Sequence, residues 1–302
     1  MISEPPPLVR RWVEGELGTS VVGFAPLPQA STSGPWRLDL AGWRTVVLGV
    51  AADDPWERDR LATEVAALEV AAAQNLAAPR ALAVDLSGAD AGQPALVQTW
   101  LRGSSAVPAT VEPARARALG HVAAAIHAVA LTPTATLPVR RSSLASVPFE
   151  TLEVPTACAD LFDEVRSTVD ALPAPTPPST LVHGDLWQGN TLWHGRAHTG
   201  TLDWDHAGVG HPLVDLGSLR WDLAVLAGGG HDDVVAGWSE ASSTTLDPED
   251  VARGDLVAVL ASVPDLALWL PNFHAQGRPD LTLDLVTARR DAFARHVLDV
   301  LR

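Results

Sequence analysis

The amino-acid sequence predicts an α+β protein of two lobes, a small antiparallel-sheet N-lobe over residues 1–101 and a mostly helical C-lobe over residues 102–302. Three observations carry that expectation. Up to residue 101 most apolar residues fall in short runs broken by Gly, Pro and Ser, as strands and turns do. One long stretch within them, residues 55–77, repeats its apolar residues at helical spacing. Beyond residue 102 helical spacing dominates, except around residues 181–203, where a hairpin-like segment stands among the helices.

In the N-lobe, Leu8, Val9, Trp12, Val13 and Leu17 predict a short amphipathic helix. Residues 21–27, 36–40 and 43–50 read as strands. Between the first two lies a small polar loop containing Ser31, Thr32 and Ser33, whose N–H groups and hydroxyls are candidates to cover nucleotide phosphates. Over residues 55–77, Leu61, Val65, Leu68, Ala72 and Leu76 keep one face apolar, with Asp53 or Asp54 and Pro55 as start signals and Glu64 beside the stripe. Residues 81–85 and 95–101 complete the sheet, joined by a turn rich in Gly and Ala.

In the C-lobe an Ala-rich helix is expected over residues 111–130, its His121 and His127 serving as ordinary packing residues. Another helix is expected over 159–171. A proline-rich approach over 172–179 then prevents a helix from running into Leu181. Helices follow at 213–227, 231–242, 248–262 and 281–301, with a helical or turn segment near 264–272. There are no internal repeats.

Composition narrows the class. A net charge of −15 argues against a nucleic-acid partner, whose phosphates require a basic surface, and is compatible with a cationic substrate. No apolar run reaches the length of a membrane span, and the N-terminus lacks the layout of a signal peptide, so a cytoplasmic protein without a membrane partner is expected, as monomer or homodimer. Cys158 is the single cysteine, which excludes an internal disulfide. All 21 basic residues are arginine, and there is no tyrosine.

The chemistry concentrates in LVHGDLWQGNTLWHGRAHTGTLDWDHAGVGHPLVDL, residues 181–216. Asp185 is followed five residues later by Asn190 and, after a short hairpin, by Asp203. One carboxylate to take a hydroxyl proton, and an amide with a second carboxylate to hold magnesium, are what phosphoryl transfer from a nucleotide requires. The five histidines between 183 and 211 lack the paired spacing and cysteine partners of a zinc site.

These residues resemble the aminoglycoside phosphotransferase and choline kinase-like family, small-molecule kinases of the protein-kinase-like fold. HGDLWQGN is similar to the family's catalytic loop and LDWDHAGVGHPLVDL to its metal-binding segment; TEVAAL resembles the small-lobe helix and ALVQTWLRG the hinge. The resemblance implies that Asp185 accepts or orients the substrate hydroxyl proton, and that Asn190 and Asp203 hold Mg2+ against the phosphates of ATP (or GTP). It implies further that Asp215 braces the catalytic loop, that His183 ties its backbone together, and that Glu64 belongs to the nucleotide site. Backbone groups around Gln98 and Trp100 would meet the purine. Asp205 stands where a glutamate is common. The expected partner is a small molecule bearing a hydroxyl: an aminoglycoside or other antibiotic, an amino sugar or a choline-like alcohol. Trp187, Asp222, Trp238 and Trp269 are candidate linings of its site.

One departure qualifies the resemblance. In relatives the third strand carries a basic residue that pairs the phosphates and the helix glutamate; here Gly49 stands at that place, and the chain has no lysine. Arg44 points to the opposite strand face, whereas Arg58 and Arg60 flank the helix bearing Glu64. A pseudokinase, or another non-catalytic nucleotide- or metabolite-binding protein, is therefore the competing expectation.

Overall fold

The computed structural model describes residues 4–27, 35–42, 44–145, 147, 152–173 and 180–302. The chain forms two compact units, Met1–Gly103 with Thr199–Asp205, and Ser104–His198 with His206–Arg302. Among the described residues no single helix is long and apolar enough to cross a membrane.

The first unit starts with helix α1 (Pro7–Leu17), closed by Gly18 in the left-handed region. Strands β1 (Val21–Pro26), β2 (Trp36–Leu40), β3 (Arg44–Val50), β4 (Ala81–Asp85) and β5 (Ala95–Thr99) form one antiparallel sheet in the order β1-β2-β3-β5-β4. Alternation along β2 buries Trp36, Leu38 and Leu40 in a core shared with Val9, Val13, Val46 and Leu48. Helix α2 (Pro55–Ala73) starts where Asp54 accepts the Glu57 backbone N–H, with Pro55 already set at its first position. It ends four residues before the apolar pattern does, because Asn75 turns the chain into the left-handed region. Its buried face carries Leu61, Val65, Leu68 and Ala71. The β4–β5 turn winds around Asp85, whose carboxylate accepts the backbone N–H groups of Gly88, Asp90 and Ala91 and the Ser87 hydroxyl. Although burial opposes ionisation, these donors hold that carboxyl down to about 2.

The second unit is mostly helical: α3 (Pro113–His127), α4 (Ala159–Ala171), α5 (Leu213–Asp222), α6 (Asp232–Ser242), α7 (Pro248–Ala261), α8 (Leu270–Ala275) and α9 (Leu283–Val300). α5 runs on into a π-helical turn, Leu223–Ala227, stopped by Gly228. α3 and α6 approach until their backbones almost touch: a Cβ on Gly120 would lie 2.1 Å from the Val234 carbonyl oxygen. Two small sheets stand among these helices; the second is the hairpin-like segment expected within residues 181–203, whereas the first was not expected from the apolar pattern. β6 (Val139–Arg140), β10 (Gly208–Gly210) and β7 (Thr180–Val182) form one, with β10 parallel to β6 and antiparallel to β7; β8 (Thr191–His194) and β9 (Ala197–Thr201) form the other. β6 and β10 are two or three residues long, too short to print a period on the sequence.

Candidate active site

The loop after β7 is held from beneath by Asp215. This fully buried residue in the first turn of α5 accepts the backbone N–H of His183 on Oδ2 and that of Gly184 on Oδ1, both at 2.8 Å. Trp238 Nε1 donates to His127 Nδ1 at 3.0 Å, so the imidazole carries its proton on Nε2 and donates it to Asp215 Oδ2, also at 3.0 Å. Burial pushes the Asp215 pKa up, but His127, His183 and the backbone donors outweigh it and hold it below the usual carboxylate range. His127 was expected to be a packing residue; it is instead the second member of a buried chain running from Trp238 to the loop. Trp238, considered as a lining of the acceptor site, belongs to this chain. Neither role leaves a local sequence signal, since the partners lie on different helices.

Gly184 must be glycine. Its φ is +79°, and a Cβ would lie 2.0 Å from the His206 carbonyl oxygen. Beyond this turn His183 Nδ1 accepts the Asp185 backbone N–H at 3.3 Å. The chain then makes one 3-10 turn, Gln188–Asn190, which returns Asn190 to Asp185. Asn190 Nδ2 donates to Asp185 O at 2.9 Å and to Asp185 Oδ2 at 3.0 Å. With its amide protons directed at Asp185, the oxygen of Asn190 is the atom left to ligate a cation.

Glu64, Asp203 and Asp205 lie in the first unit. Trp204 is fully buried and donates Nε1–H to Thr201 O, and Thr201 N donates to Ala77 O, which ties the segment carrying Asp203 and Asp205 to the chain that follows α2. Asp203 adopts φ +65°, a conformation that aspartate tolerates better than most residues. Glu64 is half-buried, and its carboxyl is enclosed. Burial, followed by the charges of Asp205 and Asp203, pushes that carboxyl up to about 8, against the lowering effects of Gln98 and Arg60. Gln98 Nε2 donates to Glu64 Oε1 at 3.3 Å. Arg60, one turn before Glu64, pairs through Nη2 with Asp205 Oδ2 and lies over the Trp56 ring, 4.6 Å from its centroid. Trp100 is exposed and packs under Arg37, 5.8 Å from ring centroid to guanidinium carbon. Ser31, Thr32 and Ser33 lie outside the described residues.

Within the second unit a cavity of about 220 Å³ opens beside Asp185, lined also by Trp187, Trp221, Asp222, Trp269 and Phe273. Trp221, Trp269 and Phe273 pack edge-to-face in sequence, with centroids 5.7 and 6.4 Å apart. Asp222 is buried; its Oδ2 accepts the Gln188 backbone N–H at 3.2 Å, and its Oδ1 has no partner among the described residues. Burial pushes its pKa up to about 7, against the lowering effects of Gln188, Arg115 and Arg278. Trp187, Asp222 and Trp269 therefore line one cavity, and the sequence reading passed over Trp221, whose position beside Asp222 in α5 was its only signal.

The model of the Phosphotransferase enzyme family, abbreviated APH, matches residues 29–248. The macrolide 2′-phosphotransferase MphH of Brachybacterium faecium has a similar structure, with a TM-score of 0.63 and 21% identity over 94% of this chain and 96% of that one. The choline kinase LicA of Streptococcus pneumoniae superimposes with a TM-score of 0.64 at 14% identity, over 96% and 98% of the two chains. A thermostable mutant of the aminoglycoside phosphotransferase APH(4)-Ia, solved in ternary complex with AMP-PNP and hygromycin B, gives a TM-score of 0.61 at 18% identity, again over 96% and 98%. No curated protein matches the sequence.

Proposed function

The chain belongs to the Phosphotransferase enzyme family, and on that premise we propose that it is a magnesium-requiring kinase that moves the γ-phosphoryl group of ATP or GTP to a hydroxyl of a small molecule. The observation that carries this reading is the Asp185–Asn190 pair, whose Asp185 lines a cavity together with a second carboxylate, Asp222.

In the proposed reaction Asp185 takes the proton of the acceptor hydroxyl as its oxygen bonds to the γ-phosphorus. The bond from that phosphorus to the β,γ-bridging oxygen breaks, and the nucleoside diphosphate leaves with the electron pair. Asn190 fixes the rotamer of Asp185 through its amide and offers Oδ1 to magnesium; Asp203 offers its carboxylate. The donor set suits a hard cation that takes oxygen ligands and keeps waters and phosphates as the remainder. It also suits the field around Glu64, where the charges of Asp203 and Asp205 raise a neighbouring carboxyl and a divalent cation would relieve them. Bound magnesium neutralises charge on the phosphates as they rearrange. Asp215 and His127 hold the loop still, so that the reaction is chiefly one of positioning.

The cavity favours an acceptor that carries an ammonium group beside its hydroxyl. Three indole rings and two acids form a surface on which a cation is held by ring faces and by carboxylates. Aminoglycosides, amino sugars and choline-like alcohols all fit that description. A non-catalytic nucleotide- or metabolite-binding protein remains the competing reading, favoured by Gly49 and by the absence of lysine.

A coupled ADP- or GDP-release assay with magnesium against a panel of such alcohols tests the proposal. Turnover that needs the acceptor and disappears in Asp185→Ala supports it. Nucleotide binding without turnover on any member favours the non-catalytic reading, and full turnover in Asp185→Ala would remove Asp185 from its role.

A further inference from the structure

Nucleotide phosphates in a kinase need a protein cation as well as a metal, because charge develops on the oxygens of the transferred group. β3 supplies none at its centre. Gly49 pairs with Leu96, and a Cβ built on it would meet only Leu96 O, at 3.9 Å, so that part of the sheet face is open space. Glu64 is met by the neutral amide of Gln98 instead of a strand cation.

Charge enters this cluster from the helix. Arg60 sits four residues before Glu64 on α2, so both side chains leave the same helix face. The guanidinium reaches Asp205 with Nη2, and its charge acts on Glu64 against the charges of Asp205 and Asp203. Its planar head lies over the Trp56 ring, and its side chain is only 25% exposed. The neighbouring cation does not share this position: Arg58 pairs with the exposed Asp53 at the start of α2.

One further feature points to a ligand. Arg60 Nε is buried and has no hydrogen-bond acceptor among the described residues, and Nη1 stands 4.0 Å from Glu57. A guanidinium offers five donors in a fixed fork, and two adjacent ones match two oxygens of a phosphate. Here Nε, the donor beside the Nη2 that Asp205 holds, is desolvated without an acceptor of its own among the described residues.

We propose that Arg60 is the phosphate-binding cation of this protein, a helix-borne residue that takes over the charge the third strand does not supply. The inference rests on the nucleotide-dependent reading above. Asp205 then has a definite task, since it holds the guanidinium in place before nucleotide arrives. Trp56 has one as well, as the plate on which the guanidinium lies.

The test is nucleotide binding by calorimetry with magnesium, in parallel for ATP and for adenosine, on the wild type, Arg60→Gln, Arg60→Lys and the control Arg58→Gln. If the wild type binds none of ATP, adenosine, GTP and guanosine, the kinase reading itself is defeated before Arg60 is at issue; if it binds only the guanine pair, the comparison is made with GTP and guanosine. With binding present, Arg60→Gln is expected to weaken ATP at least about tenfold, as loss of a charge-assisted hydrogen bond does, while adenosine stays within about twofold. Arg60→Lys should lie between, and Arg58→Gln should match the wild type. The double variant Gly49→Lys with Arg60→Gln is expected to regain ATP affinity, because the space at residue 49 is open. Unchanged ATP affinity in a folded Arg60→Gln protein, or equal loss of ATP and adenosine, would overturn the assignment; thermal unfolding of each variant identifies any that fail to fold.

Discussion

Asn190 Nδ2 donates to both the main-chain oxygen and Oδ2 of Asp185, at 2.9 and 3.0 Å. A side chain five residues away thus fixes the direction of the carboxylate assigned to the acceptor hydroxyl. Because the amide is committed to that carboxylate, changing either residue alters both the proton acceptor and the oxygen assigned to magnesium.

Asp185→Asn is therefore expected to lower kcat by about 10²–10⁴, the usual scale of a positioned general base, with nucleotide KM little changed. Asn190→Asp is expected to raise the magnesium requirement and lower kcat as well, since it sets a second negative charge against Asp185. Steady-state ADP release at varied magnesium measures both. A Asp185→Asn protein within a few-fold of wild type would contradict the assignment.

Asp215→Ala, beneath the loop, should be strongly destabilising. It leaves the buried N–H groups of His183 and Gly184 and the His127 Nε2–H without an acceptor, a loss of about 3–5 kcal/mol by comparison with other broken buried pairs. The folded pKa of Asp215 is lowered, so its contribution to stability is fully present above the unfolded value and is lost as pH falls through the folded one. Urea unfolding at several pH values below 5 should show a flatter acid limb in Asp215→Asn than in the wild type.

Asp222 predicts the opposite pH dependence. Its folded pKa of about 7 lies above the unfolded value, so the stability it contributes is present below the unfolded pKa and drains away as pH rises through about 7. Asp222→Asn should raise Tm at pH 8 more than at pH 5; an equal shift at both would contradict the burial argument. In the wild type, affinity for an ammonium-bearing acceptor should increase from pH 6 to pH 8, as the carboxylate ionises, and Asp222→Asn should remove that increase.

Gly184→Ala forces a side chain into the left-handed region against the His206 carbonyl. A loss of at least about 2 kcal/mol is expected from backbone strain and displacement of the turn together, with activity falling further than stability because Asp185 is the next residue. Differential scanning calorimetry and the release assay together separate the two effects. Gly195→Ala, also at positive φ but with open space around its Cβ, is the control for conformation without collision.

Much of the fold was legible because its signals are local. Apolar alternation marks β2 and β3, capping by Asp54 and Pro55 marks the start of α2, and the expected helix over 159–171 is α4 to the residue. The segments passed over, β6 and β10, are too short to carry a period; β10 exists as a strand because it pairs with β7, and β6 because it pairs with β10. The candidate site divides in the same way. Asp185 and Asn190 are five residues apart, and one 3-10 turn brings them together, so sequence spacing was enough to pair them. His127 and Asp215 are 88 residues apart, and nothing in α3 distinguishes His127 from a residue that merely packs.

By itself the sequence determined the order of the first unit's strands and of the long helices, and the short-range chemistry of the loop from His183 to Asn190, because both depend on spacing along the chain. It also determined that residue 49 has no cation to offer. Only the tertiary structure decided that the Trp238–His127–Asp215 chain anchors the loop, that Asp222 is buried with an unpartnered oxygen, and that Arg60 meets Asp205 across 145 residues. Desolvation and charge pairing are set by which surfaces pack together, and packing follows from the whole fold rather than from any one stretch of the chain.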